Sequence, residues 1–435
     1  MKDLYLPSMF KRLTWQRELY RNTFILILGT GLGQAVPILL QPFLRRMYTP
    51  EEFGVFAVYF SLINILTVIA SFRYDLAINL PKSDEEGANL MILSIWLNFF
   101  FHILVFVIIL IFRDNIATLV KIPLRYAKFL FILPLSTFLF CTFQAINYWL
   151  IRKKAFKVVS INKISRRGAE GIVQIVFGLF RNSAGLFWGD LTGNLANNIS
   201  GFRQLKKTGF RMSFVSKEKM KMMMKEYYHF PKYNLVPHLM GTIAMQFPVF
   251  IISRHFTKTD LGYFDLTQQA IIFPFSLITV AISQILIQLV SEKKNKEQAI
   301  RRDFLELSVL LFVIGIISVL LIELWGPSLF TIIFGAKWTL AGRYSQTLII
   351  GYFFFLIASP MNGILIGLQN IKSLGIWNLI HLLLMIGLSC FRDISFTTFL
   401  QLFVGLEIIS FSFFYLLTIN AVWKYEKNLV KIKTG

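Results

Sequence analysis

The sequence predicts an all-α integral membrane protein with about twelve transmembrane helices in two related six-helix bundles and both termini in the cytoplasm. Three observations predict this class: the apolar composition, the spacing of the apolar runs and an internal repeat. Of the 435 residues, 55% are hydrophobic, 16% are charged and 45 are Phe. Because a soluble chain carries roughly a quarter charged residues, the composition excludes a soluble enzyme, a disordered chain and a disulfide scaffold.

Twelve apolar runs are long enough to cross a bilayer, whose ~30 Å of hydrocarbon requires ~20 residues of helix. They cover residues 22–44, 53–72, 88–112, 129–151, 160–180, 184–204, 234–253, 261–289, 304–325, 343–367, 374–390 and 396–422. The fifth and sixth runs are the least apolar. The count of twelve therefore depends most on these two.

The distribution of Lys and Arg predicts the orientation. Counting from a cytoplasmic N-terminus, 33 of the 45 Lys and Arg residues fall on the inner side, which satisfies the positive-inside rule. In so apolar a chain, the net charge of +22 indicates loops facing anionic lipid rather than nucleic acid. The predicted segments are an amphipathic N-terminus (1–21), a six-helix lobe (22–205), a basic amphipathic linker (206–232), a second lobe (233–423) and a basic tail (424–435).

A repeat relates the two predicted lobes. Residues 46–56 and 254–264 share Arg, Thr, an acid, Gly and Phe at matching positions. Because six predicted spans separate the copies, both run in the same direction, with a pseudo-axis along the membrane normal. Transporters built from such repeats place their substrate between the bundles.

Helix-disturbing residues in the first and seventh spans make these helices the candidate gates. They are Gly29, Gly33 and Pro37 in the first span and Gly241 and Pro248 in the seventh. Interrupted transmembrane helices can bend where neighbouring groups satisfy the freed backbone. The alternative interpretation is that the glycines only permit close helix packing.

Polar side chains recur at helical spacing in several spans, which favours a hydrated central cavity over isolated interhelical contacts. Arginines concentrate in the first half, and guanidinium groups bind phosphate oxygens in bidentate fashion. The candidate contacts for a phosphate or sugar head group are Arg45, Arg73, Arg166, Arg167, Arg254, Gln34, Asn194 and Gln269. Arg166 is a possible partner of Glu170, Arg73 a possible partner of Asp75, and any single arginine could instead reach the lipid head groups.

Four acids at membrane depth are candidates for ion coupling: Glu407, Asp265, Asp190 and Glu170. Glu407 lies in the middle of the twelfth span with no local partner. It is either a coupling site or a neutral acid bonded to a neighbouring helix. His381 and the other span histidines are interpreted as core residues.

The motifs of familiar catalytic sites are missing from the sequence. There is no G-x-x-x-x-G-K-[ST] sequence, and no cluster of His and Cys has the spacing of metal ligands. We therefore expect neither cofactor nor metal. The function classes left are transport and an integral-membrane transferase that uses loop residues.

Four segments resemble the polysaccharide-transport family of the multidrug/oligosaccharidyl-lipid/polysaccharide (MOP) flippase superfamily, and most of all the O-antigen repeat-unit flippases of the Wzx type. They are Arg73-Tyr74-Asp75-Leu76-Ala77-Ile78 with Leu80-Pro81-Lys82, Asn147-Tyr148-Trp149-Leu150-Ile151-Arg152-Lys153-Lys154, Tyr228-His229-Phe230-Pro231-Lys232-Tyr233 and Phe334-Gly335-Ala336-Lys337-Trp338. The resemblance covers about residues 20–420, and none of its segments is a catalytic signature.

The resemblance implies a MATE-like fold, alternating access and a bacterial inner-membrane location. It implies undecaprenyl-pyrophosphate-linked oligosaccharide as substrate, with a polymerase and a chain-length regulator as pathway partners. The resemblance does not indicate which residues of this chain contact the substrate. The alternatives are a cation-coupled multidrug exporter, which the basic first half disfavours, and a polymerase or other glycosyltransferase, which the short outside loops disfavour. A purely structural scaffold would leave the polar stripes unexplained.

Overall fold

The computed structural model describes residues 39–434 except residue 392, and the side chains up to residue 430. This part of the chain is helical and contains no β-strand, so the protein is an all-α membrane protein. The long helices are α1 (Pro50–Ala70), α2 (Asp84–Leu119), α3 (Ile132–Arg152), α4 (Phe156–Leu179), α5 (Ala184–Lys207), α6 (Lys217–Glu226), α7 (Val236–His255), α8 (Lys258–Asn295), α9 (Arg301–Phe334), α10 (Thr339–Ala358), α11 (Ile371–Leu388) and α12 (Phe396–Thr434). Residues 39–47 are also helical. The predicted segment 1–21 and Gly29, Gly33, Gln34 and Pro37 lie outside the described residues.

Short elements connect the long helices. They are the 3₁₀ helices Tyr74–Asn79, Lys128–Phe131, Met212–Phe214, Ala336–Trp338 and Ser359–Met361, the single turns Leu124–Ala127 and Asn362–Gly367, and the π-helical turn Pro231–Leu235 directly before α7.

Nine helical stretches in the described part of the chain are long and apolar enough to cross a membrane. Helices α4 and α5 overlie the fifth and sixth predicted runs but are not among the nine, because they carry more polar and charged side chains. The first predicted run lies mostly before residue 39. These three runs account for the difference from the twelve predicted spans, and twelve remains a prediction.

The chain divides into two compact units. Unit 1 comprises residues up to Met47, Leu62–Thr118 and Pro123–Val236, and unit 2 comprises Tyr48–Ser61, Leu119–Ile122 and Pro237–Gly435. The predicted linker 206–232 belongs to unit 1. The first part of α1 belongs to unit 2, although the sequence repeat places it in the first lobe.

Helix α6 of the linker is anchored to unit 1 by polar contacts as well as by burial of Met223. Asn89 donates from Nδ2 to the Phe214 carbonyl (2.7 Å) and accepts from the Ser216 amide (3.0 Å). The Tyr74 hydroxyl donates to the Met224 carbonyl (2.9 Å). Burial raises the pKa of Tyr74, so this donor stays protonated.

Two of the family-like segments meet at Arg152, whose guanidinium is nearly buried. It donates to the carbonyls of Ile78 (3.2 Å), Pro81 (2.8 Å) and Ser83 (2.8 Å) and forms an ion pair with Asp84 (3.2 Å). One side chain therefore satisfies three backbone acceptors of the connection between α1 and α2. The two segments are therefore in direct contact through Arg152.

Helices α1 and α8 both begin with a capping box, in which side chains satisfy the first backbone donors of a helix. The Thr49 amide donates to Glu52 Oε2 (2.8 Å), and the Glu52 amide donates to Thr49 Oγ1 (3.3 Å). The Thr257 amide donates to Asp260 Oδ2 (3.2 Å), and the Asp260 amide donates to Thr257 Oγ1 (3.0 Å). The shared Thr and acid of the sequence repeat are thus two equivalent helix starts.

The shared glycine of the repeat lies where α1 and α8 cross in unit 2. A Cβ built on Gly54 would lie 1.8 Å from the Lys258 carbonyl oxygen, and one on Gly262 would lie 1.9 Å from the Pro50 carbonyl oxygen. The contact is reciprocal, since each glycine faces the first residue of the other helix. Only glycine permits this approach, so the two repeat copies pack against each other directly. We refer to this contact as the glycine crossing.

Trp338, from the fourth family-like segment, is fully buried beside the glycine crossing. Its ring makes edge contacts with Phe53 (5.8 Å between centroids) and Tyr263 (5.9 Å), one from each repeat copy. Gly335 ends α9 with φ 103°, a conformation that requires glycine. The turn that follows directs Trp338 into the core.

Candidate functional site

Unit 1 contains a buried polar network between α3, α4 and α5. Asp190 accepts a hydrogen bond from Ser136 Oγ (2.5 Å) and lies 3.7 Å from the Arg166 guanidinium. Asn194 donates to Ser136 Oγ (2.9 Å) and Asp190 Oδ1 (3.3 Å), and Asn198 donates to the Leu139 carbonyl (2.7 Å). Desolvating an isolated charge costs several kcal/mol, so such groups are buried together.

Glycines bring α5 close enough to α4 for this network to form. A Cβ on Gly189 would lie 2.4 Å from Gln174 Cγ, and one on Gly193 would lie 2.9 Å from the Arg166 carbonyl oxygen. The two glycines are four residues apart and line one face of α5, the spacing of close helix pairs in membranes. Asp190 follows Gly189 directly and therefore enters the contact.

The ion-pair partners of the two α4 arginines differ from the pairing expected from the sequence. Arg167 Nη1 pairs with Glu170 Oε2 (2.9 Å). This pair spans three residues along α4, whereas the proposed Arg166–Glu170 pair would span four. Arg166 instead reaches Asp190 on α5 and lies 4.8 Å from the centroid of the Phe140 ring. The physical reason is the rotation of α4, which directs Arg166 into unit 1.

The predicted contacts in unit 1 differ in exposure. Arg45 and Asn194 are buried, and Arg45 Nε donates to Gln41 Oε1 (2.8 Å). The Arg167 side chain is 31% exposed, against 12% for Arg166. Arg167 therefore has a more exposed side chain than Arg45, Asn194 and Arg166.

Arg73 lies in a strained turn before the first 3₁₀ helix, with φ 66°. Its Nε is buried and has no hydrogen-bond partner within the described residues. Asp75 accepts from Ser71 Oγ (2.6 Å), and no Arg73–Asp75 ion pair forms between these described residues. The suggested pairing with Asp75 is therefore wrong, because Asp75 closes its own turn.

In unit 2 the predicted contacts occupy separate positions. Arg254 is exposed in the last turn of α7. Gln269 donates to both carboxylate oxygens of Asp265 one turn earlier on α8, each at 3.0 Å. Asp265 and Gln269 therefore form one local polar pair.

Glu407 has a partner that the sequence did not reveal. Its Oε1 lies 3.9 Å from Nε2 of His381 on α11, and both side chains are buried. The two residues are remote in sequence, so no local spacing could have joined them. Their apolar sequence surroundings were the available signal, since a titratable group at such a position needs a partner.

The predicted gate residues of α7 lie inside a continuous helix. Pro248 is buried inside α7 and lacks the backbone donor for one intrahelical hydrogen bond. A Cβ on Gly241 would lie 3.5 Å from Asn378 Oδ1, an ordinary contact distance. The irregular backbone lies just before α7, in the π-helical turn Pro231–Leu235.

Sequence reasoning also missed Ser136 and Arg152. Ser136 is the hydrogen-bond centre of the unit 1 network, but a lone serine in an apolar run carries no signal of its own. Arg152 was recognised within a family-like segment, yet its carbonyl partners could only be identified from the turn that they form.

A family model described as "Polysaccharide biosynthesis protein" matches residues 43–342 of the chain. No curated protein sequence matched the chain.

Solved structures with the same fold cover nearly the whole chain. An inward-facing multidrug-resistance MATE-family transporter of the MOP superfamily aligns with a TM-score of 0.74 and 14% identity, over 91% of this chain and 96% of that one. The inward closed form of the lipid II flippase MurJ aligns with a TM-score of 0.71 and 13% identity, over 94% and 91%. A MOP superfamily transporter from Pyrococcus furiosus aligns with a TM-score of 0.59 and 13% identity, over 95% and 96%.

These alignments define the class: the chain is a multi-pass membrane protein with the fold of MOP superfamily transporters. The match over residues 43–342 covers more than half of the chain and identifies the protein as a member of the polysaccharide biosynthesis protein family. The resemblance drawn from the four sequence segments is confirmed at the level of family and superfamily fold.

Proposed function

We propose that this protein is a flippase that moves undecaprenyl-pyrophosphate-linked oligosaccharide repeat units from the cytoplasmic to the outer leaflet of the bacterial inner membrane. The observation that carries the proposal is the family match across residues 43–342 on a transporter fold. A second support is that one protein of this fold is itself described as a lipid II flippase. The repeat unit would be an O-antigen or a related surface polysaccharide.

The charges of unit 1 fit a phosphate-bearing substrate. Burying a bare phosphate in hydrocarbon would cost on the order of tens of kcal/mol by Born reasoning. A partly exposed guanidinium on a transmembrane scaffold lowers that barrier, because it stays charged and binds two phosphate oxygens. Arg167 is the best placed contact, since its side chain is 31% exposed and held by Glu170. Arg73, Arg45, Arg254 and Gln269 remain secondary proposals.

Export by alternating access requires helices that change shape, and α7 has two suitable features. Pro248 lacks a backbone donor, and the π-helical turn Pro231–Leu235 leads into the helix. π-helical turns often occur at functional positions. We propose that this turn, with Gly241, lets the start of α7 move during transport. The inside-negative potential would favour export of an anionic head group by up to about 2.3 kcal/mol per charge per 100 mV.

The test is deletion of the gene in its host, followed by analysis of lipid-linked intermediates. We expect single repeat units to accumulate on the cytoplasmic leaflet and the wild-type gene to restore surface polysaccharide. Units that reach the outer leaflet but stay unjoined would instead indicate a polymerase. Unchanged polysaccharide in the deletion strain would refute the proposal.

The site is tested with R167Q, which removes the charge and leaves Glu170 able to accept a hydrogen bond. R302Q is the matched control, because Arg302 forms a similar short-range pair with Glu306 (2.7 Å) but is 90% exposed. We expect R167Q, but not R302Q, to trap repeat units while both variants reach the membrane in normal amounts. Full export by R167Q would remove Arg167 from the substrate site. R166Q is less informative, because it leaves the buried Asp190 without its guanidinium.

A multidrug exporter is the second candidate, because the first of the structural alignments above is to a MATE-family multidrug transporter. The clustered cations of unit 1 disfavour cationic drugs. Drug sensitivity of the deletion strain with intact polysaccharide would favour this alternative. The polymerase and the chain-length regulator remain proposed partners on the same pathway.

A further inference from the structure

A carboxyl and an imidazole meet inside unit 2. Glu407 on α12 is 7% exposed and His381 on α11 is 6% exposed, with 3.9 Å between Oε1 and Nε2. No Lys or Arg forms an ion pair with Glu407 in the part of the chain that the structure describes. The two groups therefore have each other as titratable partners at membrane depth.

The second ring nitrogen of His381 is also engaged. His381 Nδ1 lies 2.8 Å from Ser410 Oγ, and the same oxygen accepts from Trp377 Nε1 (3.0 Å). With neutral imidazole, the Ser410 hydroxyl donates to Nδ1 and leaves Nε2–H directed towards Glu407. With imidazolium, Nδ1–H donates to Ser410 Oγ instead. Both protonation states of His381 are thus accommodated without moving a helix.

The surroundings of the pair favour a site that holds one proton. The Trp377 ring stacks on His381 at 5.4 Å between centroids, and Phe411 lies at 6.0 Å. An aromatic face stabilises a nearby cation, whereas an unpaired carboxylate in apolar surroundings is costly. The pair is neutral when it holds one proton in total and carries one negative charge after losing it.

The other helices around Glu407 contribute few charges. Helix α10 provides Tyr352, whose phenol is buried and within electrostatic reach of Glu407, and α8 provides the neutral Gln268 beside Tyr352. A Cβ on Gly351 would lie 3.4 Å from Glu407 Cβ, so α10 packs closely against the acid. Of the described groups that face Glu407, only His381 and Tyr352 are titratable.

We propose that Glu407 and His381 form a proton-binding site within unit 2, which gains and loses one proton during each transport cycle. Proton binding is a property of unit 2 alone, whereas the link to export rests on the proposed function. Loss of the proton creates a buried negative charge, which favours a conformation that hydrates α11 and α12. Uptake of the proton removes that charge and permits a dry interior.

Proton binding is tested by infrared difference spectroscopy on the full chain in lipid nanodiscs across a pH titration. We expect the carbonyl stretch of a protonated, buried carboxyl group to disappear at high pH. The band should be lost in E407Q and kept in E306Q, since Glu306 is an exposed acid. Persistence of the full band in E407Q would overturn the site.

A second readout reports on the indole stacked on His381. Loss of the proton places a negative charge beside the imidazole and so changes the electric field at the Trp377 ring. We therefore expect a pH-dependent change in tryptophan fluorescence that is lost in W377F and in E407Q. W325F is the control, because Trp325 is 53% exposed. Because W377F leaves both titrating groups in place, its result stays informative if E407Q fails to fold. An unchanged fluorescence titration in W377F would also overturn the site.

Coupling is tested by complementation of the deletion strain. E407Q fixes the site in a neutral state, so we expect repeat units to accumulate as in the deletion strain, while E306Q restores export. If E407Q lacks the infrared band but exports repeat units normally, proton binding is not coupled to export. A deletion strain with no trapped units would overturn the proposed function but leave the infrared and fluorescence results unaffected.

Discussion

The glycine crossing is the contact most sensitive to a single methyl group. A Cβ on Gly262 would lie 1.9 Å from the Pro50 carbonyl oxygen. Since non-bonded carbon and oxygen atoms need about 3 Å or more, α1 and α8 would have to separate by about 1 Å. Forcing extra atoms into a packed core costs about 1–3 kcal/mol. We expect G262A to lower the thermal midpoint of the purified protein, although alanine favours a helix over glycine.

The measurement is thermal unfolding in detergent, followed by size-exclusion chromatography. G405A is the matched control: Gly405 lies inside α12, and a Cβ there meets no atom within 4 Å. The helix propensity of alanine predicts that G405A is up to about 1 kcal/mol more stable than wild type. The two Gly-to-Ala variants should therefore shift in opposite directions. Equal midpoints for G262A and G405A would refute the proposed packing.

The reciprocity of the crossing gives a sharper test. A Cβ on Gly54 would meet the Lys258 carbonyl oxygen at 1.8 Å, on the other side of the same contact. Once one substitution has separated the helices, the second meets less resistance, so contacting sites are not additive. We expect the double variant G54A/G262A to lose less stability than the sum of the two single variants. Strict additivity would mean that the two glycines act at separate contacts.

Three further predictions follow from unit 1. D190N removes the acid that pairs with the buried Arg166 guanidinium across α4 and α5, so we expect a loss of up to about 3–5 kcal/mol in thermal unfolding. An unchanged midpoint would contradict the network. N89A removes the two hydrogen bonds that Asn89 makes to the segment before α6. We expect faster hydrogen exchange in residues 212–226 but not in α3. An equal change in exchange rate in both regions would argue against a local anchor. In R152K, the lysine cannot bond to three carbonyls and an acid at once, as the Arg152 guanidinium does. We expect this variant to lower the thermal midpoint by the equivalent of about 1–3 kcal/mol. A wild-type midpoint would show that these contacts are dispensable.

Much of the secondary structure could be predicted from the sequence, because a helix in lipid is recognised by its own composition. The predicted run 184–204 coincides with α5 (Ala184–Lys207), and the run 396–422 begins where α12 begins. Helix ends were less accurate. Helix α9 continues to Phe334, beyond the predicted end at 325, since apolarity marks the hydrocarbon region and not the end of the helix.

The repeat was also visible in the sequence, but its meaning was not. Thr, acid and glycine recur because a capping box and a close crossing each require particular residue types at fixed spacing. That the two copies contact each other through Gly54 and Gly262 depends on how α1 and α8 meet. A pattern of matching letters carries no such information.

In the candidate site, too, the sequence identified residues and the packing of the helices determined their partners. The sequence suggested Arg166 as the partner of Glu170, yet Arg167 forms that pair and Arg166 pairs with Asp190. A difference of one residue is a rotation of about 100° around a helix. Only the packing of α4 against α5 decides which arginine is buried.

The amino-acid sequence by itself determined that this chain lies in a membrane, where its helices run and which family it resembles, because hydropathy, capping and motif order are local properties. The tertiary structure decided which buried groups are partners: Ser136 with Asp190, and Glu407 with His381. Those partners lie on different helices. Their meeting depends on helix rotation and crossing, which are set by the close packing of glycines and large side chains across the whole unit.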